Sequence, residues 1–333
     1  MLLVSETPPH NGSSLEFRLA TGRGEARGRL PRAPGRMPSP DRDEVRAVLA
    51  DGLFKLWKKL RRRIRRGLPG RRSPELDASI HDLRAAARRF HSVARALPSS
   101  ARRRGLRKPV RLAEKILDWT GPLRDATVER EGLHAVRGRW SKAVQALSRD
   151  LGRRHEKGER KLARRLRRLK LKRAHRRMRR FSRKLRRKAD VRAVASAMAA
   201  RSFDEIREAR RKVDPTDARS VHKLRIALKR FRYLLDEFEP LLPSERRSHT
   251  DSVRSLQRTM GDVRDNELLT TELAGAGRNA PAALPETADL LRTLQDRRAR
   301  MMTSFLGAID DILDYWGRIV DSFRGGMSRG KTG

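Results

Sequence analysis

Apolar residues recur at every third or fourth position along most of this chain, the period of helices that pack on one face. Val45, Val48, Leu49, Leu53, Leu56, Trp57 and Leu60 keep that spacing. Ser39-Pro40-Asp41 reads as their start, with a serine N-cap, proline at the first helical position and acids in the first turn. The helix ends in seven basic residues between Lys58 and Arg66, ahead of Gly67 and Pro69. Basic residues suit a helix C-terminus, but seven exceed what the dipole needs. Two more helices start at Ser73-Pro74-Glu75 and Asp214-Pro215-Thr216 and stop at Leu97-Pro98 and Leu242-Pro243. A further helix follows each of these. After the first of those followers, a separate helix begins at Gly121 and runs past Trp140 to about Leu151. Residues 153–188 read as a basic helix with a sparse apolar stripe (Leu162, Leu166, Leu169, Met178, Phe181, Leu185) and ends that project into solvent. Residues 190–212 give another helix, 274–285 an Ala/Gly/Pro loop, and about Glu286 to Phe323 a last long helix. No alternating stretch lies between turn signals, so no strand is expected. The class is all-α.

Two of these helices are copies of one design. Ser73 to Phe90 reads SPELDASIHDLRAAARRF and Asp214 to Phe231 reads DPTDARSVHKLRIALKRF, with eight of eighteen positions identical. On a helical wheel His222, Arg225, Lys229 and Arg232 share a stripe, and Leu224, Leu228, Phe231 and Leu235 lie opposite. In the first copy His81, Arg84, Arg88, His91 and Arg95 share a stripe opposite Leu83, Ala87, Phe90 and Leu97. A second pair follows in register: Gly121-Pro-Leu-Arg-Asp125 and Gly261-Asp-Val-Arg-Asp265. The offset is 141 residues at the histidines and 140 at the glycines. That period is too long for a solenoid repeat and suits an internal duplication of a domain-sized unit. Gly121 and Gly261 read most simply as turns between helices.

Charge narrows the partners. The 333 residues carry 82 Lys+Arg against 40 Asp+Glu, a formal charge of +42. Such an excess strains a compact fold unless a polyanion is near. Nucleic acid, an anionic membrane and polyphosphate all qualify. Between Arg153 and Lys188, 21 of 36 residues are Lys or Arg, opposed only by Glu156 and Glu159. Residues 1–38, rich in Gly, Pro, Ser and Arg, read as a disordered basic arm, and residues 324–333 as a flexible tail. There is no cysteine, which removes disulfides and thiolate metal sites. No stretch approaches eighteen consecutive apolar residues, and Met1-Leu-Leu-Val is too short for a signal peptide. The expectation is a soluble cytoplasmic protein.

The pattern H-x-x-R-x-x-x-[RK]-[RK]-x-R, met twice and followed each time by G-x-x-R-D, resembles the conserved histidine α-helical domain family, known as CHAD. The resemblance covers about residues 41–323. It implies two antiparallel four-helix bundles related by a pseudo-two-fold axis, with a basic groove or pore between them. The halves would be about 39–189 and 190–323. It also implies non-catalytic binding of inorganic polyphosphate, often at polyphosphate granules. Carried over by position, the ligand set is His81, Arg84, Arg88, Arg89 and His91 in the first copy. In the second it is His222, Arg225, Lys229, Arg230 and Arg232. His91 stands where the family shows arginine. Arg124, Asp125, Arg264 and Asp265 match the second motif. The triphosphate tunnel enzyme domain often fused to this family is not expected: in Glu129-Arg-Glu131 the required lysine is replaced by Leu133.

Physical chemistry supports the polyphosphate reading independently. A phosphate chain offers only charge and oxygen acceptors. Arginine forks grip phosphate bidentately, while lysine supplies a point charge. Histidine gains charge as pH falls. Positions i, i+3, i+7 and i+10 line about 15 Å of helix. Carboxylates repel phosphate, so Asp125 and Asp265 are assigned to positioning neighbouring cations. Trp57, Trp119, Trp140 and Trp316 sit at core spacing and are not assigned to base stacking. The histidines share faces with arginines rather than carboxylates, so neither catalysis nor a metal site is expected, and no cofactor. The alternatives are a nucleic-acid-binding, nucleoid-associated protein and a structural coat protein of a storage granule.

Overall fold

The computed structural model describes residues 41–69, 75–98, 105–135, 142–187, 191–242, 244–279 and 284–328. The proposed basic arm, the last five residues of the C-terminal tail, Ser39, Pro40 and Trp140 lie outside these; residues 324–328, expected in the flexible tail, are the end of the last helix. Among the described residues every regular element is helical. In chain order they are α1 (Arg42–Arg46), a π turn (Ala47–Gly52), α2 (Leu53–Arg66), α3 (Glu75–Ala96), α4 (Arg107–Ala135) and α5 (Lys142–Arg167). Then come α6 (Leu171–Arg186), α7 (Val191–Arg211), α8 (Ala218–Phe238), a 3₁₀ turn (Glu239–Leu241), α9 (Ser244–Asn279) and α10 (Leu284–Ser328).

Local chemistry sets the ends. Asp41 caps α1 itself: its carboxylate accepts from the backbone N–H groups of Arg42 and Asp43, and Glu44 reaches back to the Asp41 N–H. Gly67 ends α2 with φ at 69°, a backbone region open to glycine at no steric cost. The second histidine helix begins three residues later than its Asp-Pro-Thr signal suggests. Asp214 instead folds a turn, accepting from the Thr216 N–H and hydroxyl, and Asp217 is the N-cap. Ser220, shared between the two copies, pins that turn by donating to the Asp214 carbonyl at 2.8 Å.

Two large apolar cores result, with a small third cluster of Ala126, Leu151, Leu269, Leu273 and Leu294 among α4, α5, α9 and α10. The first is built from α1, the π turn, α2, α3, α4, the end of α5 and α6, around Trp57, Phe90, Ile116 and Met178, and Leu234 and Phe238 of α8 enter it as well. The second is built from α7, α8, α9 and α10, around Phe203, Phe231, Phe305 and Trp316. α7 belongs to both: Val191, Val194 and Met198 enter the first, Phe203 and Ile206 the second. Trp57 and Trp316 are core residues as their spacing implies. Trp119 is only partly buried and lies under the Arg165 guanidinium.

The basic segment 153–188 is not one helix. It breaks at Arg168–Lys170, where Leu169 and Leu171 turn inward against the first core. α5 packs on α4, whereas α6 crosses to α2 and the π turn. A straight rod could not reach both surfaces, so packing overrides local propensity here. Nor do its ends project: Leu162, Leu166, Met178, Phe181 and Leu185 are buried. Ser182 donates to the Ala50 carbonyl in the π turn, and Arg186 pairs with Asp51 beside it. The loop placed at 274–285 is mostly helix, because α9 runs to Asn279 and α10 begins at Leu284. The single helix expected from Gly121 to about Leu151 is likewise split: α4 ends at Ala135 and α5 starts at Lys142.

Candidate functional site

α3 and α8, the two histidine helices, pack against each other, and so do α4 and α9. Those four helices carry both copies of both motifs. Neither glycine of the second motif is a turn. Gly121 lies inside α4 and Gly261 inside α9. On a helix the Gly, Arg and Asp of G-x-x-R-D fall at i, i+3 and i+4, which is one face. Pro122 has no N–H, so the carbonyl one turn earlier loses its usual donor. In that turn Arg84 donates from Nη1 to the Leu117 carbonyl at 2.8 Å and to Thr120 Oγ1 at 3.2 Å. A Cβ added at Gly121 would stand 3.8 Å from that Nη1, and one at Gly261 would meet open space. Neither position is held to glycine by lack of space.

The stripes converge. Arg88 of α3 acts electrostatically on Arg225 and Lys229 of α8, and Lys229 acts on His81 in return. Arg124 lies near His81 and Arg84, and Arg264 near His222 and Arg225. Asp125 and Asp265 counter this charge, Asp125 at Arg84 and at His222 of the other half, Asp265 at Arg225. His81 and His222 are exposed at one end of the cluster, while Arg225 and Lys229 are partly buried further along.

Burial without matched acids makes these cations reluctant to hold their protons. Desolvation, then Arg88, Arg225, Arg232 and Arg84, push the Lys229 ammonium down to about 6. Desolvation and Arg88 bring Arg84 to about 10, with Asp125 opposing. Desolvation and Arg88 lower Arg225 too. Burial depresses both histidines, reinforced by Arg124 at His81 and by Arg225 at His222. The Nε–H groups of Arg84, Arg225 and Arg232 are buried without an acceptor.

Some residues of the stripe are held by other partners, His91, Arg230 and Arg89 away from the cluster and Arg232 at its edge. His91 shares a hydrogen bond with Glu114 of α4 at 3.2 Å and joins two helices rather than the cluster. Arg230 pairs with Glu205 of α7 at 3.2 Å. Arg89 lies 5.9 Å from the Tyr233 ring, and Arg232 lies 4.3 Å from it while pairing with Asp236 at 2.8 Å. Asp236 also receives Arg254. Tyr233, Asp236 and Glu267, which binds Arg298 at 3.1 Å and stands near Arg225, were not legible as site residues. Asp236 alone left a signal, at i+4 from Arg232. A buried group of Thr127, His155 and Glu159 has the order of a nucleophile relay, but Thr127 already donates to the Leu123 carbonyl at 3.0 Å. It fastens α4 to α5, and His155 also pairs with Asp77 of α3 at 3.1 Å.

Replacing Arg84 tests the link between the stripe and α4. Arg84→Lys keeps charge but replaces the planar guanidinium, whose Nη1 makes both bonds, with a shorter side chain that does not reach the same position. Loss of a charge-assisted bond to a buried carbonyl is expected to lower stability by about 1–3 kcal/mol in urea denaturation.

A model of the CHAD domain matches residues 69–274. The chain belongs to the CHAD family. The match begins after α2 and ends in α9, so α1, α2 and α10 extend beyond it. No match emerged among curated proteins. Among solved structures, the chain is similar to the CHAD domain from the plant Ricinus communis, with a TM-score of 0.57 at 18% identity over 85% of this chain and 97% of that one. It is also similar to PptA from Streptomyces chartreusis, with a TM-score of 0.55 at 17% identity over 84% of this chain and all of that one. The all-α CHAD fold spans well beyond the family match in both comparisons. Among the described residues, no helix is long and apolar enough to cross a membrane.

Proposed function

We propose that this CHAD protein binds inorganic polyphosphate without catalysis, in the cluster formed by His81, Arg84, Arg88, Arg124, His222, Arg225, Lys229, Arg232 and Arg264. One observation carries the reading: cations from two motif-bearing helix pairs face one another with too few acids to balance them, to the point that Lys229 is held near 6. A protein does not stabilise itself by such crowding. The arrangement makes sense when an anion completes it, since a phosphate chain supplies closely spaced negative oxygens along the whole stripe. Asp125 and Asp265 keep the guanidinium groups oriented until then. Targeting to polyphosphate granules follows as the cellular consequence of this affinity. Counterion release would make the binding steeply salt-dependent.

The rival is general attraction of nucleic acid to a chain of charge +42. Competition separates them. Labelled long-chain polyphosphate, bound at physiological salt, is challenged with duplex DNA and RNA at equal phosphate concentration. Polyphosphate is expected to withstand the challenge by at least about tenfold, or 1.4 kcal/mol. Equal competition per phosphate would move the nucleic-acid reading ahead.

A further inference from the structure

We propose that one face of α2 continues the cationic cluster, so that a long linear polyanion held by the histidine helices runs on across Lys55, Lys59, Arg62 and Arg66. The proposal rests on the polyphosphate reading and adds a second, length-dependent part to the site.

Lys55, Lys59, Arg62 and Arg66 fall at i, i+4, i+7 and i+11, on one side of the helix and over about 16 Å of its length. All four are exposed, and every exposed position of α2 is Lys or Arg. With Lys58 and Arg63 they line a surface concavity of about 370 Å³. Two contacts join this face to the cluster. Near the C-terminal end of α2, Arg63 bonds Asp82 at 2.7 Å, and Asp82 is the neighbour of His81 on α3. Towards the start of α2, Lys55 lies near Glu237 of α8, a carboxyl that burial pushes up to about 7; Arg89 lies near the same carboxyl. Arg89 in turn faces the ring of Tyr233, which Arg232 covers from within the cluster. Cations thus follow one another from Arg232 through Arg89 to Lys55 and along α2.

The chemistry selects the occupant. Firm seating in a lipid surface takes apolar or aromatic side chains beside the cations, and the exposed positions of α2 supply none. A path that leaves one helix pair and turns onto another suits a thin flexible chain better than a stiff duplex. Long-chain polyphosphate is such a chain.

The test uses the full-length chain and two probes, tripolyphosphate and long-chain polyphosphate. In K55Q/K59Q/R62Q/R66Q the Arg63–Asp82 pair is kept. Affinity for the long chain is expected to fall by about tenfold or more, with the salt slope shallower by about three, at about 0.7 per neutralised contact. Tripolyphosphate affinity should stay unchanged. The lighter variant K59Q/R66Q should give a smaller loss of the same kind if the fourfold variant fails to fold. Equal loss for both probes, or no loss for either, overturns the proposal. So does loss of duplex DNA binding with long-chain binding intact, which would assign the face to nucleic acid. Arg225→Gln is the separate check on the underlying reading: it should weaken both probes, and if it weakens neither, that reading fails whatever α2 does.

Discussion

Neutralising the centre of the cluster should weaken long-chain polyphosphate binding by at least about a hundredfold, the equivalent of 2.7 kcal/mol. The variant is R88Q/R225Q/K229Q, read by titration at fixed salt. Each side chain offers a charge-assisted hydrogen bond, typically about 1.5–3 kcal/mol. The three crowd one another, so their losses will not add. Their removal also relieves mutual repulsion in the free protein, where Arg88 bears on both Arg225 and Lys229. The same variant should therefore melt no lower than the parent, which separates a binding defect from unfolding. A control in R230Q should leave affinity within about threefold, because that guanidinium is turned to Glu205. Unaltered binding in the triple variant would place the ligand elsewhere on the protein.

Binding should also take up protons. Lys229 is held near 6 in the free protein, so at pH 8 its amine is neutral. A phosphate chain beside it restores the ammonium. From pH 7 to 9 affinity should fall by about one decade per pH unit from this group alone, since each proton taken up contributes one unit of slope. His81 and His222, both lowered by burial and neighbouring arginines, steepen the curve at the acidic end. Long chains are the right probe because few of their phosphates are titratable ends. Calorimetry in buffers of different ionisation enthalpy counts the protons directly. For stability the sign is opposite to that of a paired lysine. The folded value, about 6, is below the unfolded 10.5. Between them the unfolded chain holds the extra proton, so stability rises with pH from 6 to 10.5 and the penalty is complete below 6. Lys229→Met should remove about 1.4 kcal/mol per pH unit from that slope and raise the melting temperature at pH 7. It should also abolish most of the proton uptake. A pH-independent affinity would show that Lys229 stays clear of the ligand.

Much of this site was legible because the duplicated stripe is a property of single helices. His81, Arg84, Arg88, His222, Arg225 and Lys229 share faces by spacing alone, and packing has only to bring those faces together. What spacing could not show was the neighbour on the next helix. His91 and Arg230 sit at matching wheel positions to true cluster members or beside them, yet Glu114 and Glu205 draw them away. Gly121-Pro122 has the chemistry of a turn. It stays helical because helices on either side hold it and Arg84 takes a carbonyl in the weakened turn. The break at Arg168–Lys170 carries no glycine or proline and arises only from where Leu169 and Leu171 find the core. Domain-scale elements fared likewise: the histidine helices begin and end near their signals, while the long basic segment is divided by tertiary contacts.

α7 gives the cluster a mechanical property. One end of this rod is bolted into the first core by Val191, Val194 and Met198, and the other into the second by Phe203 and Ile206. A hinge that spread the histidine helices apart would have to pull one set of these side chains out of its socket. Opening by rigid rotation is therefore coupled to loss of apolar burial, about 1.5–3 kcal/mol for each large side chain exposed. The approach of α3 to α8 is accordingly set before any ligand arrives. A phosphate chain bound as proposed would have to fit a surface of fixed geometry, so selectivity among anions would become a matter of their thickness as well as their charge.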